Sequence, residues 1–338
     1  MSQTASSSQT EDRGPSLLLT ALYAPIAPEF EAVEHVLREE LRSDYPDVDE
    51  LVRYGCLLGG KRLRPALLLL AGKAVGNLNA EHVTLAAVIE MIHTATLVHD
   101  DVLDEADTRR HLATVNSRWD SKSSVLLGDF LFTHAFYLAS TLHSTWACRQ
   151  IGRATNIVCE GELRQKGCRG DFTLGEVEYL EIISAKTAEL CACSCQLGAH
   201  FAGATDELVE QMAGFGRDLG VAFQIVDDLL DVLGDEQTTG KSLGTDLEQQ
   251  KPTLSTIRAL QLADDAERKE ILAVLDGEST DRRRGLAPHL KRHAAIEYAY
   301  EKAGFYVRRA CGRLESLPAS PARQVLVQLA EFVLARSN

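Results

Sequence analysis

Apolar residues recur every three to four positions from about residue 16 onward, and this spacing constrains the fold more than any other feature. Two runs show it clearly: Leu67, Leu70, Ala71 and Ala74, then Ala87, Met91, Ala95 and Val98. The repeat is that of an α-helix, and the alternation typical of strands is not sustained anywhere. Segments 85–105 and 210–233 are apolar on more than one face, as central helices of a bundle are. The sequence therefore predicts an all-α fold.

Glycine-containing breaks separate the predicted helices without dividing the chain into two domains. They fall at Gly59-Gly60, residues 167–170, Gly203 and residues 234–244. We predict a disordered Ser/Thr-rich tail at residues 1–15 and a single helical domain at residues 16–338. The polar exception is 261–293, which contains the run Arg282-Arg283-Arg284. No glycine or aromatic cradle accompanies that run, so a solvated loop is favoured over a phosphate site.

The charge balance and the cysteines narrow the function classes. Lys and Arg total 35 against 49 Asp and Glu, a net charge of -14, which opposes nucleic-acid binding through phosphates. No segment is apolar and long enough for a membrane span, and no secretory signal begins the chain, so a cytoplasmic location is expected. The eight cysteines form no CxxC pair and predict reduced thiols. Of Cys191, Cys193 and Cys195, only the first and last share a helix face, which disfavours a zinc site.

Two acidic clusters with the same DDxxD spacing are the strongest functional signal. The first consists of Asp100, Asp101 and Asp104, and the second of Asp227, Asp228 and Asp231. On a helix, Asp100 and Asp104 share a face about 6 Å apart, so their carboxylates repel unless a cation lies between them. Because both clusters interrupt apolar helices, metal ligation offsets the cost of the buried charge.

The ligand type indicates which metal these clusters bind. All-oxygen sites suit Mg²⁺, which keeps waters and completes its coordination shell with substrate phosphates. A calcium site of the EF-hand type is disfavoured because the twelve-residue loop is missing. Two facing carboxylate helices therefore imply a bridging phosphate ligand. Basic residues near the clusters provide for a second, directly bound diphosphate: Lys61, Arg62, Arg64, Arg109, Arg110, Lys186, Lys241 and Lys251.

Six ordered motifs resemble the trans-isoprenyl diphosphate synthase family from about residue 20 to the C-terminus. They are GGKRLRP, DDVLDEADTRR, Lys186-Thr187, Gln224 with DDLLD, GKSLGTDL and KPTL. The likeness is greatest to the long-chain polyprenyl branch, such as octaprenyl diphosphate synthases. It implies a single-domain antiparallel bundle around a deep cavity, a homodimer, and two to three Mg²⁺ ions. It also implies that the substrates are isopentenyl diphosphate and an allylic diphosphate.

The resemblance also assigns roles to residues. Asp100 and Asp104, with Asp101 beside them, match the first metal site, and Asp227, Asp228 and Asp231 match the second. The residues that match the allylic diphosphate site are Arg109, Lys186, Thr187, Gln224 and Lys241, with Lys251 nearby. Those that match the isopentenyl diphosphate site are Lys61, Arg64, His93 and Arg110, with Arg62 nearby. By position alone, His93 is more often a core histidine; the resemblance reverses that preference.

Three positions depart from the family pattern. His111 and Gln250 stand where glycine is usual, and Ser255 stands where proline is usual. None of the three is a metal ligand. We expect His111 and Gln250 to alter loop closure over the diphosphates rather than the type of reaction.

Product length is predicted from residues below the first cluster. Ala95 and Thr96, about one turn before Asp100, are small and allow a growing chain to pass. By analogy with the family this argues against a product that stops at farnesyl length, and we predict a product beyond geranylgeranyl length. Phe132, Phe136 and Tyr137 are candidates for the cavity floor, with ordinary core packing equally favoured.

Four alternatives remain. Within the family, they are a short-chain farnesyl or geranylgeranyl diphosphate synthase and a non-catalytic subunit of a heteromeric synthase. Outside it, they are a terpene cyclase and a head-to-head synthase. The isopentenyl diphosphate motif disfavours the last two, and the six intact aspartates disfavour the inactive subunit. No nucleophile motif such as GxSxG or HExxH is present, and ionisation of an allylic diphosphate requires none.

Overall fold

The computed structural model describes residues 22–57, 60, 62–109, 112–233, 244–277 and 282–335, and nearly all of them are helical. After a 3₁₀ turn at Ala24–Ile26, the first helices are α1 Ala27–Glu40, α2 Pro46–Leu57, α3 Leu63–Val75, α4 Ala80–Leu103, α5 Val115–Arg118 and α6 Ser121–Ser140. The next are α7 Thr145–Gly167, α8 Glu176–Ile183, α9 Glu189–Phe201, α10 Asp206–Leu233 and α11 Thr245–Glu248. The last are α12 Leu254–Leu262, α13 Asp265–Asp276, α14 Arg282–Arg292, α15 Ala295–Arg313 and α16 Pro321–Ala335. The predicted all-α class is confirmed.

The core forms around α4, α9 and α10. Helix α10 packs against α9 and α15, and α4 packs against α6 and α3. Four consecutive leucines of α3, Leu67 to Leu70, are fully buried, so this helix is covered on every side, as its apolar sequence requires. Among the described residues, no helix is both long and apolar enough to span a membrane. All eight cysteines are free thiols.

Glycines let the central helices approach closely. A Cβ at Gly198 of α9 would collide with the carbonyl oxygen of Leu68 on α3. On α10, a Cβ at Gly216 would collide with the backbone of Cys191. Helix α9 therefore lies directly against α3 on one side and α10 on the other, where any side chain larger than hydrogen would separate the backbones. These contacts fix the position of the segment that precedes α9.

Two local predictions are corrected. The sequence predicted no strand, but Thr108–Arg109 (β1) and Leu112–Ala113 (β2) form a two-residue antiparallel pair just after the first acidic cluster. The arginine run was predicted to be a solvated loop, whereas Arg282 begins α14. Its guanidinium donates hydrogen bonds to the carbonyl oxygens of Gly277, Leu247 and Glu248 at 2.8–3.3 Å. Carbonyls at helix C-termini lack intrahelical donors, and here the arginine supplies them.

A second, smaller core lies beyond the C-terminal end of α10. It is formed by apolar residues of α11 to α15 together with Val232. Arg283 joins this region to α10, because its Nε donates to the Val232 carbonyl oxygen at 2.9 Å. Glu267 joins α13 to α14: it accepts hydrogen bonds of 2.9 Å from both His289 and His293.

Two of the sequence departures lie in described backbone. Gln250 adopts a left-handed conformation with φ of 53°, which is the conformation that glycine tolerates without strain. Ser255 lies buried in the first turn of α12, 3.1 Å from the Thr253 hydroxyl. His111 lies outside the described residues.

We expect Gln250→Gly to raise the free energy of unfolding by about 1 kcal/mol, because it removes the cost of holding a Cβ in the left-handed region. Gln250→Ala is the matched control, since it shortens the side chain but keeps that cost. Urea unfolding of both variants measures the difference. A Gly variant no more stable than the Ala variant would contradict the strain.

Candidate active site

The first acidic cluster lies at the C-terminal end of α4, with its carboxylates on two different faces. The side chains of Asp100 and Asp104 are 18% and 25% exposed, whereas that of Asp101 is 2% exposed. The prediction that Asp100 and Asp104 share an accessible face is consistent with this arrangement. Asp101 points instead into the protein.

Asp101 is paired with Arg109. The Nε and Nη2 atoms of Arg109 lie 2.8 and 2.7 Å from one carboxylate oxygen of Asp101. The other oxygen is buried and has no hydrogen-bond partner. Burial raises the pKa of Asp101 above its usual range, and Arg109 opposes that shift. Asp101 thus holds the strand pair beside the cluster.

Both oxygens of Asp104 are contacted by cations. Arg169, in the turn after α7, places Nη2 2.5 Å from Oδ1. Lys251 places Nζ 3.3 Å from Oδ2. Lys251 was a predicted substrate-binding residue, whereas Arg169 was not predicted.

Lys186 and Thr187 lie in a single π-helical turn, Ser184–Ala188, between α8 and α9. Such turns are rare and often found at functional sites. The Lys186 amino group donates to Glu162 at 2.8 Å and to Gln165 at 2.9 Å, and lies 3.9 Å from Asp100. Although burial lowers the pKa of Lys186, the carboxylates of Asp100 and Glu162 raise it above the ordinary value. The lysine therefore stays protonated beside the first cluster.

Gly161 of α7 is what permits this position of Lys186. A Cβ at Gly161 would lie 2.6 Å from the Lys186 backbone nitrogen. Helix α7 therefore touches the π turn directly and presents Glu162 and Gln165, which follow Gly161 within about one turn, to the lysine amino group. Neither Glu162 nor Gln165 was predicted, because each looks like an ordinary polar position on a helix.

In the second cluster, Asp228 belongs to a chain of hydrogen bonds. Tyr179 donates to its Oδ2 at 2.6 Å, and Gln224 donates to its Oδ1 at 2.7 Å. The Thr187 hydroxyl in turn donates to Gln224 at 2.7 Å. Two predicted residues, Thr187 and Gln224, are thus brought together with Asp228. Tyr179 was missed, because a lone tyrosine on an apolar helix face carries no distinguishing signal.

Burial raises the pKa of Asp228 to about 8, and the charge of Asp246 contributes to the increase. The pKa of Asp231 is also raised, chiefly by burial. Asp227 is half-buried. Carboxylates that crowd together in this way favour a cation among them.

The 244–251 segment connects the two clusters. At its start, the Thr245 hydroxyl and the Asp246 backbone N–H each donate to Asp231 at 3.1 Å. At its end, Lys251 lies 3.3 Å from Asp104 and 3.7 Å from Asp246. Asp246 lies within the GKSLGTDL motif, but no role was predicted for it. The second cluster is thus extended by a carboxylate that lies fifteen positions beyond Asp231.

The basic residues predicted for isopentenyl diphosphate fall into two groups. Arg64 and His93 lie together, with Nη1 and Nε2 2.9 Å apart, and the Nε atom of Arg64 is buried without a hydrogen-bond partner. Arg62 is engaged elsewhere, because Glu34 and Glu90 each contact its guanidinium at 2.8 Å. Lys61, Arg110 and Lys241 lie outside the described residues.

The residues predicted to control product length differ in exposure. Ala95 is fully buried, whereas Thr96 is partly exposed, and its hydroxyl donates to the His93 carbonyl oxygen at 2.8 Å. Phe132 and Phe136 are partly buried against the main core. Tyr137 is 63% exposed, so its prediction as a floor residue is wrong for this chain: it points away from the helix face that carries the two phenylalanines.

The donor set fits Mg²⁺. Within the described ranges, no three His, Cys, Asp or Glu side chains form a closed metal cage. Mg²⁺ does not require one, since it binds one or two carboxylates and takes its remaining oxygens from water and phosphate. The unpartnered oxygen of Asp101 and the crowding of Asp228 with Asp246 are both consistent with a site that gains a cation.

We expect Tyr179→Phe to weaken Mg²⁺ binding about 10-fold to 100-fold, because it removes the hydrogen bond that orients Asp228 while keeping the ring. Tyr298→Phe is the matched control, since that hydroxyl donates to Glu176 rather than to a cluster aspartate. Calorimetric titration of Mg²⁺ in the presence of inorganic diphosphate measures both. Equal affinities in the two variants would contradict the role of Tyr179.

Comparison with known proteins agrees with this geometry. Residues 46–287 match the family model described as polyprenyl synthetase. The octaprenyl diphosphate synthase of Escherichia coli (strain K12) is 37% identical over 315 residues, covering 92% of this chain and 97% of its own. Relatives named heptaprenyl diphosphate synthase component 2, from Geobacillus stearothermophilus, and geranylgeranyl diphosphate synthase, from Sulfolobus acidocaldarius, also match at 36% and 33% identity.

Solved structures show the same fold. A decaprenyl diphosphate synthase from Rhodobacter capsulatus superposes with a TM-score of 0.89 at 37% identity, covering 95% of this chain and 99% of that one. A polyprenyl synthase from Caulobacter crescentus CB15, complexed with calcium and isoprenyl diphosphate, has a TM-score of 0.88 at 34% identity, covering 95% and 98%. From the family match, this similarity and the paired acidic clusters, we conclude that the chain belongs to the polyprenyl synthetase family and is a prenyl diphosphate synthase.

Proposed function

We propose that this enzyme condenses isopentenyl diphosphate with farnesyl or geranylgeranyl diphosphate and releases a longer all-trans polyprenyl diphosphate, with Mg²⁺ as cofactor. The observation that carries the proposal is the 244–251 segment, which contacts Asp231 of one cluster and Asp104 of the other. A ligand held between the clusters would be surrounded by carboxylates that bind metal and by cations that bind phosphate. The donor set favours Mg²⁺, and the calcium complex of the Caulobacter relative supports a divalent cation.

The metal ligands are proposed from the carboxylates of the two clusters. Asp100 and Asp104 would hold Mg²⁺ on the first helix, and Asp227, Asp228 and Asp231 would do so on the second. When bound, the metal neutralises charge on the departing diphosphate. Two to three ions, as the family resemblance implies, would match the number of carboxylates.

The protein's own cations assist departure of the leaving group. As the allylic carbon–oxygen bond breaks, its electron pair leaves with the diphosphate, and Lys186 is placed to stabilise the developing charge. Lys186 is suited to this because Glu162 and Gln165 fix its amino group beside Asp100. Arg109 and Lys241 are proposed to act with it.

The second substrate is proposed to bind at Arg64 and His93. Arg64 would donate to phosphate oxygens through its Nε, which is buried and has no hydrogen-bond partner in the protein. His93 accepts from Arg64 through Nε2 and would donate through Nδ1. The double bond of isopentenyl diphosphate then attacks the allylic cation and forms the new carbon–carbon bond. The released diphosphate takes the proton that is lost, so no side-chain base is required.

A long product is supported by two observations. The E. coli and R. capsulatus relatives are named for long products. No aromatic side chain stands one turn before Asp100, where Thr96 is partly exposed. A homodimer is proposed from the family resemblance, and the exposed apolar residues Leu126 and Tyr137 of α6 are consistent with a covered face. A cytoplasmic location remains a prediction, supported by the eight free thiols.

The proposal is tested by incubating purified protein with Mg²⁺, isopentenyl diphosphate and either allylic primer, then measuring the mass of the dephosphorylated product. We expect one long polyprenol as the end product and no elongation in the presence of EDTA. Light scattering on the same sample gives the oligomeric state. A product of farnesyl or geranylgeranyl length would assign a short-chain synthase instead. Turnover without isopentenyl diphosphate would assign a cyclase, and activity only with a partner chain would assign a subunit.

Product length has its own test. We expect Thr96→Phe and Ala95→Phe to shorten the polyprenol, because either ring would narrow the path below the first cluster. Ala95 is fully buried and its variant risks misfolding, so the variant at the partly exposed Thr96 tests the same path independently. Thr84→Phe, three turns earlier on α4, is the matched control. An unchanged product distribution in both folded variants would contradict the proposed path.

A further inference from the structure

We propose that Arg169 is a further diphosphate-binding residue: it is the counter-ion of Asp104 before metal binds, and it transfers to the metal-bound diphosphate afterwards. The inference rests on the proposed function and adds a residue that none of the sequence motifs contains. Arg169 lies in the turn that follows α7, with Nη2 2.5 Å from Asp104 Oδ1.

The first step concerns Asp104. Its two carboxylate oxygens face Arg169 and Lys251, at 2.5 and 3.3 Å. Each oxygen keeps a further lone pair for a metal, but a divalent cation bound there would repel the positive charge already beside it. Ligation by Asp104 therefore favours movement of at least one of these cations. Which cation moves depends on what else holds each one.

Lys251 has a second anionic partner, since Asp246 lies 3.7 Å from its amino group. Among the residues that the structure describes, Asp104 is the only salt-bridge partner of Arg169, and its other acceptor is the neutral amide oxygen of Gln249 at 3.4 Å. Its Nε atom is buried and has no hydrogen-bond partner. A guanidinium carries five N–H donors in a planar fork, so most of those on Arg169 are left for a ligand.

A backbone hydrogen bond next to Arg169 holds the turn in place, so a movement of Arg169 would be a rotation of its side chain. Gly170, the next residue, donates its N–H to the Gln250 carbonyl oxygen at 2.9 Å, which ties the turn to the 244–251 segment. The arginine therefore stays at the cluster when it leaves Asp104. A diphosphate bound to metal at Asp104 brings phosphate oxygens to the same place, and an arginine fork matches two of them.

The alternative is that Arg169 only ties the turn to α4. The two roles predict different effects on the binding of metal in the absence of diphosphate. A competitor for Asp104 opposes metal binding in the absence of diphosphate and favours binding of the metal–diphosphate complex. If the ion pair is purely structural, its loss weakens both the binding of metal alone and the binding of the metal–diphosphate complex, or it changes neither.

The test compares Arg169→Gln with wild type in two titrations of the full chain: Mn²⁺ alone, followed by electron paramagnetic resonance, and inorganic diphosphate with excess Mg²⁺, followed by calorimetry. We expect the variant to bind diphosphate about 10-fold or more weakly, as for loss of a charge-assisted hydrogen bond. We expect it to bind Mn²⁺ alone as tightly as wild type or more tightly. Arg164→Gln is the matched control, since that exposed arginine of α7 pairs with Glu181 of α8 rather than with a cluster aspartate.

Three results would overturn the inference: weaker binding of both probes, no change in diphosphate binding, or the same change in the Arg164 variant. Failure of the proposed function is distinguished by the wild-type protein. If wild type neither binds diphosphate with Mg²⁺ nor elongates a primer, the proposed function fails and the inference falls with it. If wild type does both and Arg169→Gln matches it, only the inference is wrong.

Discussion

Repulsion among carboxylates at the ends of two buried helices is the constraint on which the rest of this structure depends. Asp100 and Asp104 end α4, while Asp228 lies near the end of α10 with Asp246 close enough to help raise its pKa to about 8. Charges of one sign cannot be brought together inside an apolar bundle unless cations or hydrogen-bond donors offset them. The arrangement of Lys186, Lys251 and Arg169 around the first cluster follows from that requirement. At the second cluster, Tyr179 and Gln224 meet part of that requirement by donating hydrogen bonds to Asp228.

The helix packing serves this electrostatic arrangement. Glycines at close crossings allow α9 to lie directly between α3 and α10, and Gly161 allows α7 to touch the π turn. Because no side chain fills these crossings, the positions of Lys186 and Thr187 are set by contact between backbones. A donor placed in this way needs little reorganisation when charge develops on a leaving group.

Much of this could be predicted from sequence, for identifiable reasons. The helical repeat gave the fold class, and the DDxxD spacing placed Asp100 and Asp104 on one face, because both depend on local periodicity. Tyr179, Glu162 and Arg169 could not be found, since each acquires its role from a contact more than twenty positions away along the chain. The arginine run at 282–284 was misjudged for the same reason: its partners are carbonyl oxygens of helix ends, which leave no trace in the composition. The prediction for Tyr137 was wrong because packing against other helices decides which side of α6 faces the core, and the local sequence does not show this.

The way Arg282 and Arg283 hold the ends of α10 and α11 has a thermodynamic consequence. Through them the small core of α11 to α15 is attached to the segment that joins the two clusters. Order in that core is therefore expected to be coupled to order at the clusters. Free energy gained when ligand binds the clusters therefore also stabilises helices that never touch it. Substrate binding is therefore expected to raise the local stability of α12 to α14, and product release to lower it again.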